Sequence, residues 1–226
     1  MAESQGSLVE LTAADDHGFQ AYHVPATGQR RGCLVVIQEI FGVNGHIRGV
    51  AERYAAEGYE VYAPALFDRI ERGVELGYGE DDIAAGLALM RQADLTDAVL
   101  DVQTCIGTLR PHGAVGLVGY CWGGTVSWVS ACRAIGVAAA VCYYGGQIAQ
   151  NVDLEPACPV MMHFGDQDAA IPLSDVDAVQ AAQPGVDVHV YQAGHGFNCD
   201  QRGSYDEVAA ALALERSLAF YAEHMG

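Results

Sequence analysis

Short apolar runs alternate with longer amphipathic segments along most of this chain. Residues 33–37 are apolar without interruption, which is typical of a strand buried on both faces. Residues 47–55 instead place apolar side chains three and four positions apart, the spacing of a helix with one buried face. Further apolar runs lie at 59–63, 115–118, 137–144, 160–164 and 186–191, and further amphipathic segments at 94–109, 122–131, 174–183 and 205–221.

This alternation predicts an α/β fold in which a mostly parallel central sheet carries helices on both faces. Two strands with apolar residues, at 8–11 and 19–22, precede it and are joined by a turn at 15–18. Residues 65–82 follow neither period and are expected to be irregular. Because 226 residues without a repeat or linker suit one sizeable core, we expect a single domain over residues 1–226.

The composition and net charge of the chain limit which kinds of binding partner are expected. With 51% hydrophobic and 18% charged residues, the chain is typical of a folded globular protein rather than a disordered one. A formal net charge of -18 argues against nucleic acid and anionic membranes and leaves a small molecule as the expected partner. Since the N-terminus lacks a signal-peptide pattern and no apolar run is long enough to span a membrane, we expect a cytoplasmic protein, monomeric or weakly dimeric.

Cysteine and histidine spacing gives no indication of a metal site. The seven cysteines lack the CxxC spacing of zinc ribbons and thioredoxin-like motifs, and several lie in apolar runs where a small core residue is expected. The eight histidines include no HxxxH or HExxH pair. The sequence therefore predicts neither a metal nor another cofactor.

The stretch Gly-Tyr-Cys-Trp-Gly at 119–123 is the most informative part of the chain. It follows the apolar run at 115–118, and its glycines lie two residues on either side of Cys121. This is the pattern of a nucleophile elbow with cysteine in place of serine. The two glycines are required because a turn this tight leaves no room for Cβ atoms at their positions. A helix beginning after Cys121 would favour its thiolate. The alternative is a buried structural cysteine in an ordinary glycine-rich turn.

Four polar residues follow apolar runs and are expected at one edge of the sheet, where such folds bind ligands. They are Glu39, Cys121, Asp168 and His195. The last three follow the order nucleophile, acid, histidine that accompanies a nucleophile elbow, and a thiol nucleophile needs an oriented base. Asp166 competes with Asp168 for the role of the acid, although it also suits a turn. Glu39 is either exposed at a strand tip or part of the site.

Four short stretches carry a resemblance to a known family. They are 38–44 (Gln-Glu-Ile-Phe-Gly-Val-Asn), 119–124 (Gly-Tyr-Cys-Trp-Gly-Gly), 165–168 (Gly-Asp-Gln-Asp) and 194–197 (Gly-His-Gly-Phe). In this order, and spread over nearly the whole chain, they resemble the dienelactone hydrolase (carboxymethylenebutenolidase) family. The resemblance implies an α/β-hydrolase fold and a triad of Cys121, Asp168 and His195. It also implies hydrolysis of a small lactone or ester through a cysteine acyl-enzyme, without a cofactor.

The resemblance implies further roles at the same edge of the sheet. The glutamate that matches Glu39 pairs with the resting thiol in this family and is displaced when substrate binds. A nearby carboxylate disfavours a thiolate, so such a pair would keep the resting Cys121 protonated. The resemblance also implies an oxyanion hole formed by the backbone N–H groups of Ile40 and Trp122.

The chain departs from the family where an arginine is expected to hold a substrate carboxylate, because that position is Cys199. Arg202, Arg69 and Arg72 are the candidates to replace it. Aromatic candidates for substrate contact are Phe41, Tyr78 and Phe197. Two alternatives stay open: a promiscuous carboxylesterase or thioesterase that does not recognise a carboxylate, and a thiol redox sensor on a hydrolase scaffold.

Overall fold

A computed structural model describes residues 6–226; residues 1–5, where we expect no targeting signal, lie outside the described part. Its strands are β1 (Ser7–Thr12), β2 (Gly18–Val24), β3 (Gly32–Ile37), β4 (Tyr59–Pro64), β5 (Val115–Tyr120), β6 (Val137–Tyr143), β7 (Val160–Gly165) and β8 (Asp187–Tyr191). Its helices are α1 (Gly45–Ala56), α2 (Glu80–Gln92), α3 (Leu95–Leu109), α4 (Trp122–Arg133), α5 (Leu173–Ala182) and α6 (Glu207–Met225).

The eight strands form one sheet in the order β1-β2-β4-β3-β5-β6-β7-β8. The first two neighbour pairs are antiparallel, and every pair from β4/β3 to β7/β8 is parallel. All residues of β3 and β5 are buried, which explains why they lack alternation in the sequence. The predicted mostly parallel α/β sheet is confirmed.

Helices cover both faces of this sheet. On one face α1 and α6 meet, where the rings of Tyr54 and Tyr221 lie 6.3 Å apart. On the other face α3 and α4 pack together, and the Cys33 thiol of β3 lies 3.6 Å from the Leu109 carbonyl oxygen at the end of α3. Because the strands from β4 to β8 in this order run parallel, their carboxyl ends deliver loops to a single edge of the sheet. Within residues 6–226, no helix is both long enough and apolar enough to cross a membrane.

Residues 65–79 are irregular apart from a short 3-10 turn at Leu66–Arg69, largely as expected, but helix α2, which begins at Glu80, was not predicted. Three acidic residues occupy its first turn, where they stabilise the positive end of the helix dipole. Only Gly86 and Leu89 are buried in α2, so its contribution to the core is small. Several of its other apolar residues line the cavity that is described below.

Candidate active site

The turn between β5 and α4 holds Cys121 in a backbone conformation that is rare for a residue with a side chain. Its φ is 55° and its ψ is -120°, and its backbone N–H donates to the carbonyl oxygen of Tyr143 over 3.0 Å. A Cβ atom at Gly119 would overlap the carbonyl group of Gly123. The glycine spacing is therefore a steric requirement of this turn, as expected for a nucleophile elbow.

Three side chains from three strand ends form a continuous chain of contacts. Nε2 of His195 lies 3.2 Å from Sγ of Cys121, and Nδ1 of His195 lies 2.7 Å from Oδ2 of Asp168. The other carboxylate oxygen of Asp168 accepts from the backbone N–H groups of Ala170 and Ile171, at 2.8 and 3.2 Å. Asp168 is thus buried and fixed, whereas Asp166 is exposed to solvent.

The charge on His195 is set by its two partners. Burial by itself lowers the pKa of His195, but hydrogen bonds to Asp168 and Cys121 outweigh it and raise the pKa to about 10. The ring is therefore protonated at neutral pH, with Asp168 accepting from Nδ1. An imidazolium in contact with a sulfur atom is the arrangement that supports a reactive thiolate.

Glu39 lies directly after β3 and is completely buried. Its Oε2 accepts a hydrogen bond of 3.3 Å from the Tyr78 hydroxyl, and its Oε1 lies 3.8 Å from Nη1 of Arg202. Burial and the neighbouring Glu39 raise the pKa of Tyr78, so the phenol stays protonated and donates. The expected pairing of Glu39 with the resting thiol is not seen among residues 6–226, because Tyr78 and Arg202 hold the carboxylate while the Cys121 thiol faces His195.

A cavity of about 330 Å³ opens above Cys121 and His195. Its walls are mainly apolar, and Arg202 is its charged wall residue besides His195. Three of the apolar residues, Ile83, Leu87 and Met90, come from α2. These three residues were not predicted from the sequence, although their separations of four and three positions are a helical signal that could have identified this wall.

Comparison with known proteins identifies the family. The family model for dienelactone hydrolases matches residues 19–225. The chain belongs to the dienelactone hydrolase family. It is accordingly a hydrolase that acts on ester or lactone bonds.

Several relatives of this dienelactone hydrolase family member cover most of its length. A carboxymethylenebutenolidase from Pseudomonas putida is 32% identical over 225 residues, which is 95% of each chain. A provisionally named carboxymethylenebutenolidase from Synechocystis sp. is 35% identical over 204 residues, 81% of this chain and 82% of the relative. The crystal structure of a provisionally named dienelactone hydrolase from Klebsiella pneumoniae superposes with a TM-score of 0.80 at 28% identity, covering 96% of this chain and 99% of the other.

The two residues expected to form the oxyanion hole both lie at the cavity of this member of the dienelactone hydrolase family. Ile40 and Trp122 both line the cavity, and Trp122 is the first residue of α4. Within the described chain, neither N–H donates to a protein acceptor. Neither donor is therefore committed to another protein group.

The structure does not bring Arg69 or Arg72 to the cavity. The Arg69 guanidinium lies 2.7 Å from a carboxylate oxygen of each of Asp101 and Asp15, because the fully buried Asp101 requires a counter-charge. Arg72 donates to the Gly18 carbonyl oxygen over 2.6 Å. These contacts hold Arg69 against α3 and the β1–β2 turn and Arg72 against β2, and neither arginine lines the cavity.

The three aromatic candidates occupy different places. Phe41 lines the cavity, whereas Tyr78 packs behind it with the two ring centroids 4.6 Å apart. Phe197 is completely buried, with its ring 5.3 Å from that of Tyr144, and it does not line the cavity. Of the three candidates, Phe41 is therefore the one that is placed to contact a substrate directly.

Replacing Asp168 with asparagine is expected to lower the pKa of His195 from about 10 toward its ordinary value of 6.5. Because the folded-state pKa is raised, charged His195 stabilises the fold fully below about pH 6.5, and this stabilisation is lost as the pH rises through about 10. NMR titration of the His195 ring and denaturation at several pH values measure both effects. Asp166→Asn is the matched control, and an equal shift in both variants would contradict the assignment of Asp168.

Proposed function

We propose that this enzyme hydrolyses a small lactone or ester through an acyl-enzyme on Cys121. The observation that carries the proposal is the line of contacts from Asp168 through His195 to the Cys121 sulfur, with distances of 2.7 and 3.2 Å. A carboxylate, an imidazole and a thiol at these separations are the components of nucleophilic acyl transfer. The apolar cavity above them supports a small organic substrate.

The reaction proceeds in two halves. In the first, the Cys121 thiolate attacks the carbonyl carbon, and the resulting oxyanion accepts from the N–H groups of Ile40 and Trp122. Collapse of this intermediate breaks the ester bond, and His195 gives its proton to the departing alkoxide. In the second half, His195 takes a proton from water as the water attacks the thioester. Cys121 then leaves as a thiolate, and His195 is again protonated.

Glu39 acts in this scheme as a charge at the edge of the site. It is fully buried, and it stays beside Tyr78 and Arg202 while the thiolate is formed next to His195. A rotation toward Cys121 would disfavour the thiolate, since two neighbouring negative charges repel each other. We propose that Glu39 alternates between these two positions and keeps the thiol unreactive in the absence of substrate.

Rapid-quench mass spectrometry during turnover of an aryl acetate and a dienelactone tests the acyl-enzyme. We expect hydrolysis of at least one of them and a mass gain of one acyl group on the peptide that contains Cys121. An acyl group on a different residue, or turnover of neither class of compound, would refute the proposal.

One observation favours a second candidate, an esterase or thioesterase that does not recognise a carboxylate. Arg202 is already neighboured by the buried carboxylate of Glu39, and its guanidinium lies 5.7 Å from the centre of the Phe41 ring. A cation with these contacts has less to gain from a substrate carboxylate, and the α2 wall of the cavity is apolar.

Kinetics with matched lactones, one carrying a free carboxylate and one without, separate the two candidates. If Arg202 recognises the carboxylate, Arg202→Gln should lower kcat/KM for the charged lactone by about tenfold, since a charge-assisted hydrogen bond contributes about 1.5–3 kcal/mol. The uncharged lactone should be nearly unaffected. Arg72→Gln, which changes an arginine outside the cavity, is the control. Equal rates for both lactones in all three proteins would establish the second candidate.

A further inference from the structure

Beside the catalytic residues, three side chains that bind metals in other proteins come together from separate parts of the chain. They are Glu39 after β3, His46 in the first turn of α1, and Cys199 in the loop before α6. One potential ligand atom from each lies within 4.8 Å of the other two, and all three residues are buried. The mechanism proposed above uses neither His46 nor Cys199.

Two of these side chains have buried polar atoms without a hydrogen bond. Within the part of the chain that the structure describes, Oε1 of Glu39 and Nε2 of His46 have no hydrogen-bond partner. Leaving such atoms unsatisfied costs about 1–3 kcal/mol each, and more for a charged group. In native proteins such atoms are usually satisfied by an ordered water or a bound ion, and two of them beside a third potential ligand favour an ion.

The contact on the other side of the His46 ring orients it for a ligand. Nδ1 of His46 lies 3.2 Å from Oδ1 of Asp200, a side chain that is half exposed. When Nδ1 donates to Asp200, Nε2 carries the free lone pair. A carboxylate on one ring nitrogen and a metal on the other is the usual arrangement of metal-binding histidines.

We propose that Glu39, His46 and Cys199 form a binding site for Zn²⁺. A carboxylate, an imidazole and a thiolate are the ligands that zinc accepts, whereas Mg²⁺ and Ca²⁺ prefer oxygen ligands alone. Zinc bonds of about 2.0–2.3 Å place tetrahedral ligands about 3.5 Å apart, so small side-chain rotations would close the site. Cys199 releases its proton on binding, and water occupies the fourth position.

Zinc in this site would change the charge balance of the neighbouring cavity. Oε1 of Glu39 is the atom that lies 3.8 Å from the Arg202 guanidinium. When that oxygen binds zinc, it no longer neutralises Arg202, which remains in the cavity wall. The site would therefore couple metal binding to the electrostatics of the substrate cavity.

Titration with Co²⁺ and then Zn²⁺ tests the site without measuring activity. We expect the metal-free protein to bind one Co²⁺ per chain with a thiolate-to-cobalt charge-transfer band, and Zn²⁺ to displace it. Cys199→Ser and His46→Gln should each raise the Kd for Zn²⁺ by at least about tenfold. Asp200→Asn should raise it by about tenfold as well, because outer partners of metal-bound histidines have effects of this size.

Cys121→Ser distinguishes this site from the catalytic pair, because Cys121 and His195 also present a thiol and an imidazole. The variant should keep the band and the affinity, and so should Cys158→Ser, which changes a half-buried cysteine elsewhere. Zinc should raise the Tm of the wild type and of Cys121→Ser but not of Cys199→Ser. If Cys199→Ser does not fold, Asp200→Asn provides the same test from a half-exposed position.

The outcomes that would overturn the proposal are specific. They are the absence of a band in the wild type, a band that persists in Cys199→Ser, an unchanged Kd in Asp200→Asn, and loss of binding in Cys121→Ser. The last of these would assign the metal to the catalytic pair. None of them depends on turnover, so they do not test the proposed hydrolysis.

Discussion

Replacing Cys121 with alanine is expected to lower kcat/KM for an aryl acetate by at least about 10⁴-fold, which corresponds to about 5 kcal/mol of transition-state stabilisation. The reason is that alanine cannot form the thioester, so water must attack the substrate directly. The N–H groups of Ile40 and Trp122, which we propose bind the oxyanion, would remain but cannot supply a nucleophile. Steady-state kinetics with the purified variant measure the loss.

Cys132→Ala is the matched control for this experiment, since Cys132 is a partly exposed cysteine outside the cavity. It should retain the wild-type rate. His195→Ala should resemble Cys121→Ala, because groups that act as a unit lose most of their effect together. Wild-type turnover in Cys121→Ala would show that the acyl-enzyme proposal is wrong, whatever the outcome for His195.

Gly119→Ala is expected to lower the free energy of unfolding by more than about 4 kcal/mol, the range reached by the most disruptive substitutions. Its added Cβ would overlap the carbonyl group of Gly123. Gly123 cannot move away easily, since its own Cα already faces the carbonyl groups of Ile37 and Gln38 at the end of β3. Chemical denaturation and the yield of folded protein measure the effect.

Gly107→Ala is the same substitution at another glycine, and it is expected to have the opposite effect on stability. Gly107 lies inside α3, and apart from the backbone of its own helix and its two chain neighbours no atom lies within 4 Å of the position that its Cβ would take. Alanine should therefore stabilise the protein by about 0.5–1 kcal/mol through its better helix propensity. If both variants had similar stability, the steric argument for the turn at Cys121 would fail.

The parts of this structure that depend on local pattern could be predicted from the sequence. Apolar runs identify buried strands, and the glycines around Cys121 identify the turn, because both signals come from residues close together in the chain. The resemblance also placed Glu39 near the site. Asp168 and His195 follow neighbouring strands of a parallel sheet, so their convergence with Cys121 follows from topology, and the structure brings all three within hydrogen-bond distance.

Contacts between residues that lie far apart in the sequence could not be predicted in this way. Arg69 is held by Asp101 and Asp15, and the sequence contains no pattern that relates these three residues. The contact of Glu39 with Arg202 joins residues that are far apart in the chain, and it replaced the expected contact with the thiol. His46 and Cys199 have no metal-ligand spacing, because the two segments that bring them together lie far apart in the sequence.

The weak anchoring of α2 has a consequence for how this enzyme could change over evolution. Its cavity-facing residues Ile83, Leu87 and Met90 are only partly buried, whereas Cys121 and Asp168 follow the fully buried strands β5 and β7. Substitutions on this helix can therefore alter which molecules fit while the machinery that cleaves them is left intact. New substrate preferences become accessible by single mutations that the fold tolerates.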